Sequence, residues 1–564
     1  MEAKTDGGTY TGYPHLEGGL LSQYSAQAPD TVRWILNHGF DAVRWGTKHL
    51  PNQKKLPSGQ LASRIALESV TSALDDMSHA AITSIWLPTE PFLALGVKPV
   101  CAEALAGFVA AANSEAGFAA EAENAGLPAT YCSYHRVLMG MATTGVLTKP
   151  RMLASCSVAC DANNLTFKTL AKRWEIPHFF VDVPYEADED SISYVADQLR
   201  DLTDLICETL GLTLDMAELS HCVAQSNRSL DNFVRSLPLR RKRYLANDMG
   251  QAMQEALAAH LWLGTADTQE LSCMQLVDYA QAKEYEGLNL IWAHTPPFFL
   301  NSLKEELNQS QTAQIIASDM LFDQVLPQGR RYEADKPFES MAERLCSCCF
   351  NGPATRRAER LTWLAEQTQA DGAVIFCHWG CKETAGGASL MAEALEKAGY
   401  PTLILDGDGC DHANCMEGQM STRMTAFWKC SNPGEKNPRQ RPAAIPTAQM
   451  PRRCVTVCAQ SEPLDLYGDI VGHALEVSPA LARVAIRTGF DFTAWKSAHL
   501  PDKTRPLWAQ LNAKTFFSHL TQGLDHPDNA VATSIFLPTE IFQALKVLPL
   551  CAEAVAGTCA GRAC

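Results

Sequence analysis

The stretch "VIFCHWGCKETAGG", residues 374–387, sets Cys377, His378, Cys381 and Lys382 at the end of an apolar run. A second C-x3-C pair, Cys156 and Cys160, follows another such run, "RMLAS". Thiols beside an imidazole and an ammonium fit three chemistries. Structural zinc is one, although closed zinc sites usually sit in knuckles on small ribbons and these pairs end longer apolar runs. A Cys377–His378 nucleophile–base pair is another, weakened because neighbouring residues of a strand point to opposite faces. The third is an iron–sulfur cluster held by thiolates gathered from separate loops, which suits their scatter. Spacing alone leaves all three open.

Side chains this far apart in sequence need a scaffold that brings them together. "TSIWLP", "RMLASCS", "HFFVDVP", "LNLIWAHTP", "AQIIASDM", "GAVIFCHW" and "TLILDGDG" read as buried strands, being short, apolar and bounded by turn residues. "DANNLTFKTLAKRWE", "DSISYVADQLRDLTDLICETL", "FESMAERL", "RRAERLTWLAEQ" and "GASLMAEALEKAG" read as helices. Alternating β and α segments imply parallel sheets covered on both faces, and the length suggests two such lobes. In such sheets ligands sit beyond the carboxyl ends of the strands. Cys156, Cys160, Asp182, His294, Cys377, His378, Cys381, Asp406 and Asp408 all fall at that edge. Burying acids and thiols there without partners costs several kcal/mol, so a shared site is the economical explanation.

A chain of 564 residues, 46% hydrophobic, is globular and long enough for more than one domain. Its formal charge of -16 argues against nucleic-acid and anionic-membrane partners. The run "LPLRRKRY", residues 237–244, is a local exception that reads as a nucleotide-phosphate contact or a solvated helix face. The N-terminal residues resemble neither a signal nor a transit peptide, and no long apolar span follows; a cytoplasmic protein is expected. Twenty cysteines in such a chain suggest reduced thiols, packed or metal-bound. No G-x-x-x-x-G-K-[ST] is present, so ATP binding by this chain lacks support.

The sequence also repeats itself. "AITSIWLPTEPFLALGVKPVCAEALAG", residues 81–107, returns as "VATSIFLPTEIFQALKVLPLCAEAVAG", residues 531–557, and the match extends upstream to Gly39 against Gly489 at a constant offset. The second copy stops at Cys564, so it reads as a truncated or decayed module. Six segments are expected: an extension, 1–38; a first α/β lobe, 39–185; a helical segment with the start of the second lobe, 186–345; the rest of that lobe, 346–430; a linker, 431–455; and the truncated copy, 456–564.

"YCSYHRVLMG" (131–140), "SCSVACDANNLTFKTLAKRWEIPHFFVDVPY" (155–185), "DKPFESMAERL" (335–345), "AVIFCHWGCKETAGG" (373–387) and "LDGDGCDHANCMEGQMSTRMTAF" (405–427) together resemble the 2-hydroxyacyl-CoA dehydratase family, which includes benzoyl-CoA reductase subunits and double-cubane cluster proteins. The likeness runs from about Gly39 to Cys430. It implies two flavodoxin-like lobes around a 4Fe-4S cluster, with Cys132, Cys160 and Cys381 as its thiolates. It further implies an acyl-CoA substrate and a separate ATP-dependent iron–sulfur activator. In that chemistry one low-potential electron turns the thioester into a ketyl radical anion, the hydroxyl leaves, and the electron is recycled. His378, Lys382 and Glu103 are then candidates for stabilising charge or moving protons. Asp406, Asp408 and Arg423 are expected to brace loops between the lobes.

Family dehydratases work as paired subunits. The partial second copy lacks counterparts of all three thiolates, so a related subunit or a homodimer is expected. Double-cubane relatives carry an 8Fe-9S cluster and need more thiolates; Cys101, the strongest candidate, Cys156, Cys377, Cys410 and Cys415 lie within or beside the motif blocks, and at most one cysteine of "CSCC", 346–349, is expected to join them from a helix. Reduction of the acyl-CoA thioester in place of dehydration, a double-cubane-type reductase of small molecules and a non-catalytic iron–sulfur electron carrier are the alternative functions.

Overall fold

Eight short apolar runs form two parallel sheets. In the computed structural model, which describes residues 24–297, 299–431, 478–499, 507–526, 530–533 and 548–551, the first sheet contains β1 (Ala80–Thr83), β2 (Lys98–Cys101), β3 (Met152–Cys156) and β4 (His178–Val181) in the order β2-β1-β3-β4. The second contains β5 (Leu288–Ala293), β6 (Ala313–Ser318), β7 (Gly372–His378) and β8 (Thr402–Gly407) in the order β6-β5-β7-β8. Every pairing in the two is parallel. Both sheets therefore have one topology, with the strand order reversing between the first and third strands as in a flavodoxin. This is the expected α/β class with two doubly wound lobes.

Three sequence readings shift. The first strand is Ala80–Thr83, not "TSIWLP": Ser84 N–H makes one more bond to Ala154, then Leu87 N–H turns back to Ser84. Ile85 and Trp86 thus lie beyond the strand's carboxyl end. β2 is hidden in the sequence by Pro99, a residue tolerated because β2 is an edge strand. The helix expected from Gly387 begins at Lys382, with Cys381 as its N-cap; Gly386 and Gly387 lie inside it, and a methyl group on Gly387 would come within 3.3 Å of Ala354 on the neighbouring helix.

Period-two alternation assigns each residue of β7 a face. Val374 and Phe376 enter a core continuous with that of the first lobe, whereas Ala373, Ile375 and Cys377 pack on the other side of the sheet. The lobes are tied by the start of the helix Ser133–Thr144. Ser133 Oγ donates to Asp408, Tyr134 Oη donates to the Gly409 carbonyl at 3.0 Å, and buried Arg136 pairs with Asp411 at 2.8 Å. Asp408 braces the lobes as expected, while Asp406 and Arg423 approach each other at 3.8 Å on the surface.

The Ser133–Thr144 helix is seated by a glycine. A Cβ on Gly140 would lie 1.8 Å from the Phe118 carbonyl oxygen of the helix Glu115–Asn124. Gly140→Ala must push the two helices apart, and a loss of about 1–3 kcal/mol in urea unfolding is expected.

The basic run is structural. Arg240 is buried between Tyr279 and Phe322 and donates to the Ile316 carbonyl; Arg241 and Arg243 donate to the Gln367 and Ala282 carbonyls. Among the described residues no helix is long and apolar enough to cross a membrane.

The chain divides into compact units Met1–Arg441 and Pro442–Cys564. The second unit holds helices Pro479–His499 and Leu507–Asp525 and parallel strands Ala530–Thr533 and Leu548–Cys551. Cys551 stands opposite Thr533, as Cys101 stands opposite Thr83, so the repeat extends to strand register. The expected linker, beyond Ser431, lies outside the described residues.

Candidate functional site

The two reversal points of the strand order open onto one cavity of about 420 Å³. Ile85 and Trp86 follow β1, Ala159 and Cys160 follow β3, His294 and Thr295 follow β5, and His378, Gly380 and Cys381 end or follow β7; all of them line it. Cys132 joins them from the start of the Ser133–Thr144 helix.

Each of the three thiols is an N-cap residue: Cys132 for Ser133–Thr144, Cys160 for Asp161–Trp174 and Cys381 for Lys382–Lys397. Helix starts expose unpaired amides and a partial positive charge. Those amides favour the thiolates, but burial outweighs them and raises the pKa of all three. Each ionised neighbour opposes the next: Cys381 raises Cys132, and both raise Cys160. Three thiolates held together here would need positive charge among them.

Two imidazoles approach the sulfurs. His378 Nδ1 accepts the Gly409 N–H at 2.9 Å, so in the neutral ring the proton sits on Nε2, which lies 3.3 Å from Cys132 Sγ. Burial lowers the His378 pKa against the pull of Asp408, favouring that neutral form. His135 Nε2 lies 3.6 Å from Cys160 Sγ, and its Nδ1 is buried without a partner. His294 stacks on His378 at 5.9 Å with its own Nδ1 unpartnered, and burial holds its pKa far down. Its backbone is left-handed, φ 73°, a strained conformation for a non-glycine residue. The turn is held by its N–H donating to Asp319 at 2.8 Å.

Gly380 adopts φ 84°, and a Cβ there would stand 3.1 Å from Cys132 Cα, so glycine lets the chain of one lobe press against the Cys132 backbone of the other. Glu103 accepts from Asn163 at 2.8 Å and from the Cys101 thiol at 3.2 Å. Lys382 is exposed at the rim, 3.4 Å from Asp161 of the opposite lobe. His378, Lys382 and Glu103 all line the cavity.

Other cysteines stand apart. Cys101 ends β2 in the core, Cys156 packs beside Ser84, and Cys377 faces away from the lobe interface; none lines the cavity. Burial raises the pKa of Cys156 and Cys377 to about 11. In "CSCC" the helix ends at Cys346, correcting the expected helical reading: Ser347 is its C-cap, and Cys348 donates to Asp323 in the following turn. None of these three lines the cavity either.

Among the described residues no three His, Cys, Asp or Glu side chains converge as a single metal ion requires. The thiol set, the imidazoles aimed at two sulfurs and the glycine-relieved approach at Cys132 fit a cluster.

A family model described as 2-hydroxyglutaryl-CoA dehydratase, D-component, matches residues 85–429, more than half of the chain. The chain belongs to that family. The match takes in Cys132, Cys160 and Cys381 and every strand of the two sheets except β1. Among curated relatives of this dehydratase family, the (R)-phenyllactyl-CoA dehydratase alpha subunit of Clostridium sporogenes is 24% identical over 362 residues, 60% of this chain and 86% of the relative. The lactoyl-CoA dehydratase alpha subunit of Anaerotignum propionicum is 24% identical over 382 residues, with 60% and 87% covered. A benzoyl-CoA reductase subunit of Thauera aromatica is 22% identical over 348 residues, with 56% and 79% covered.

Sequence reasoning leaves His135, Tyr131 and Trp86 without roles at this dehydratase-family site. His135 carries a signal: it lies three residues after Cys132, one helical turn on, and so on the same side. Tyr131 lines the cavity and donates to the Ala162 carbonyl at 2.8 Å; burial pushes its pKa up to about 12.

Proposed function

We propose that this chain is the cluster-bearing subunit of an acyl-CoA dehydratase, holding a 4Fe-4S cluster on Cys132, Cys160 and Cys381. The observation that carries the reading is the gathering of three N-cap thiols, two from the first lobe and one from the second, around one cavity. When bound, such a cluster supplies a Lewis-acidic iron and a one-electron relay.

The chain's own residues set the conditions. His378 Nε2–H faces the Cys132 sulfur, its tautomer fixed by Gly409, and His135 stands against Cys160. Neutral His294 offers an unpartnered Nδ1 beside His378, suited to a substrate oxygen. Glu103, held by Asn163, is placed to take a proton, and the Lys382–Asp161 pair spans the rim. The wall separating Cys101, Cys156 and Cys377 from the cavity supports a single cubane over a double one. With no P-loop in the sequence, the electron is assigned to a separate ATP-dependent activator, and a related subunit or second copy completes the enzyme.

Anaerobically purified protein, supplied with its candidate partner subunit, a low-potential activator and ATP, is expected to dehydrate (R)-phenyllactyl-CoA or lactoyl-CoA. Retention of an intact cluster with no elimination from any 2-hydroxyacyl-CoA would shift the reading to electron transfer.

A further inference from the structure

Much of the cavity wall carries no polar chemistry. Ile85 and Trp86 beyond β1, Met253 of the helix Met249–His260, Met320 beyond β6 and Phe350 beyond the helix Pro337–Cys346 all line it and are buried. The Trp86 and Phe350 rings meet at 5.2 Å and 47°. An aromatic corner flanked by two flexible thioethers takes a flat apolar group well, through ring–ring and sulfur–ring contacts.

Charge around the cavity points the same way. Among the described lining residues Glu103, Asp161 and Glu383 are carboxylates, while Lys382 is the one ammonium and no guanidinium is present. Lys382 sits at the rim beside Asp161. Arg357 lies 4.3 Å over the Phe350 ring but behind the wall, committed to Asp319 and Glu383. The indole Nε1–H of Trp86 is buried without an acceptor. It can serve an uncharged oxygen, yet one neutral donor does not offset the desolvation of a carboxylate.

We propose that this cavity selects acyl-CoA thioesters with an uncharged, apolar acyl chain of aromatic size and rejects those whose acyl chain ends in a second carboxylate. This rests on the acyl-CoA reading above. Trp86 and Phe350 form the specificity wall; with Lys382 beside Asp161 and Arg357 committed to Glu383, no cation among the described lining residues is left to receive a second carboxylate, and Glu103 opposes one.

The test is direct binding to the anaerobically purified protein without activator, so that no turnover intervenes. (R)-Phenyllactyl-CoA, lactoyl-CoA and (R)-2-hydroxyglutaryl-CoA are titrated calorimetrically. Phenyllactyl-CoA is expected to bind about tenfold or more tightly than lactoyl-CoA, and 2-hydroxyglutaryl-CoA more weakly than either. Trp86→Ala and the milder Phe350→Leu should each narrow the phenyllactyl-to-lactoyl ratio, and Met320→Arg should raise affinity for 2-hydroxyglutaryl-CoA. Circular dichroism and iron content identify variants that have kept their fold. Equal or tighter binding of 2-hydroxyglutaryl-CoA, or a ratio indifferent to both wall substitutions, overturns the selectivity. If none of the three thioesters binds, the acyl-CoA reading itself fails, and the selectivity with it.

Discussion

Alanine at Cys132, Cys160 or Cys381 is expected to strip iron and sulfide from the anaerobically purified protein, whereas alanine at Cys101, Cys156 or Cys377 leaves both near wild-type amounts. The two sets share chemistry and differ in place. The first three cap helix starts on the cavity, two of them against an imidazole; the others are buried behind the wall, against Glu103, Ser84 and the far side of β7. A cubane with one iron open has no spare protein thiolate, so losing any of three should cost more than the about 10–100-fold typical for a group merely hydrogen-bonded to a metal ligand. Iron and acid-labile sulfide assays on all six variants check this. Loss of cluster from Cys377→Ala with its fold intact would instead favour the double-cubane arrangement.

Arg357→Met is expected to lower unfolding free energy by about 3–5 kcal/mol, the usual cost of breaking a buried ion pair from one side. Arg357 is 1% exposed and pairs with fully buried Asp319 at 2.8 Å, with Glu383, and with the Thr384 hydroxyl at 3.0 Å. Its guanidinium is held firmly charged by those carboxylates. Methionine keeps much of the volume and leaves Asp319 with the His294 N–H as its remaining partner among those described. The consequence extends to the site, because this network joins the strained turn of His294 to the first turn of the helix capped by Cys381. Urea titration followed by circular dichroism measures the loss. Arg357→Lys, which keeps the charge without the planar fork, should lose less.

The strand ends are legible in the sequence because a buried parallel strand is a short apolar run and its first polar residues mark the carboxyl edge. His294, His378, Cys160 and Cys381 fall at that edge on this ground, and the reversed strand order explains why they meet. Adjacent Cys377 and His378 point to opposite faces, as neighbours on a strand must, and the period of two in β7 sends only His378 into the cavity. What sequence does not supply lies in backbone detail. Pro99 conceals β2, and Gly386 and Gly387 conceal the helix start that makes Cys381 an N-cap. Trp86 belongs to a segment that reads as strand, so its place on the cavity wall is hidden. The cationic run at 240–243 can be judged only once the aromatic rings and carbonyls receiving it are in place.

Metal and acid-labile sulfide analysis of the anaerobically purified chain, with electron paramagnetic resonance of its dithionite-reduced form, tests whether the three cavity thiols carry a cluster. Iron and sulfide are expected in equal amounts, about four of each per chain, with the spectrum of a cubane. Zinc in place of iron, or no metal at all, would rule out a cluster on Cys132, Cys160 and Cys381.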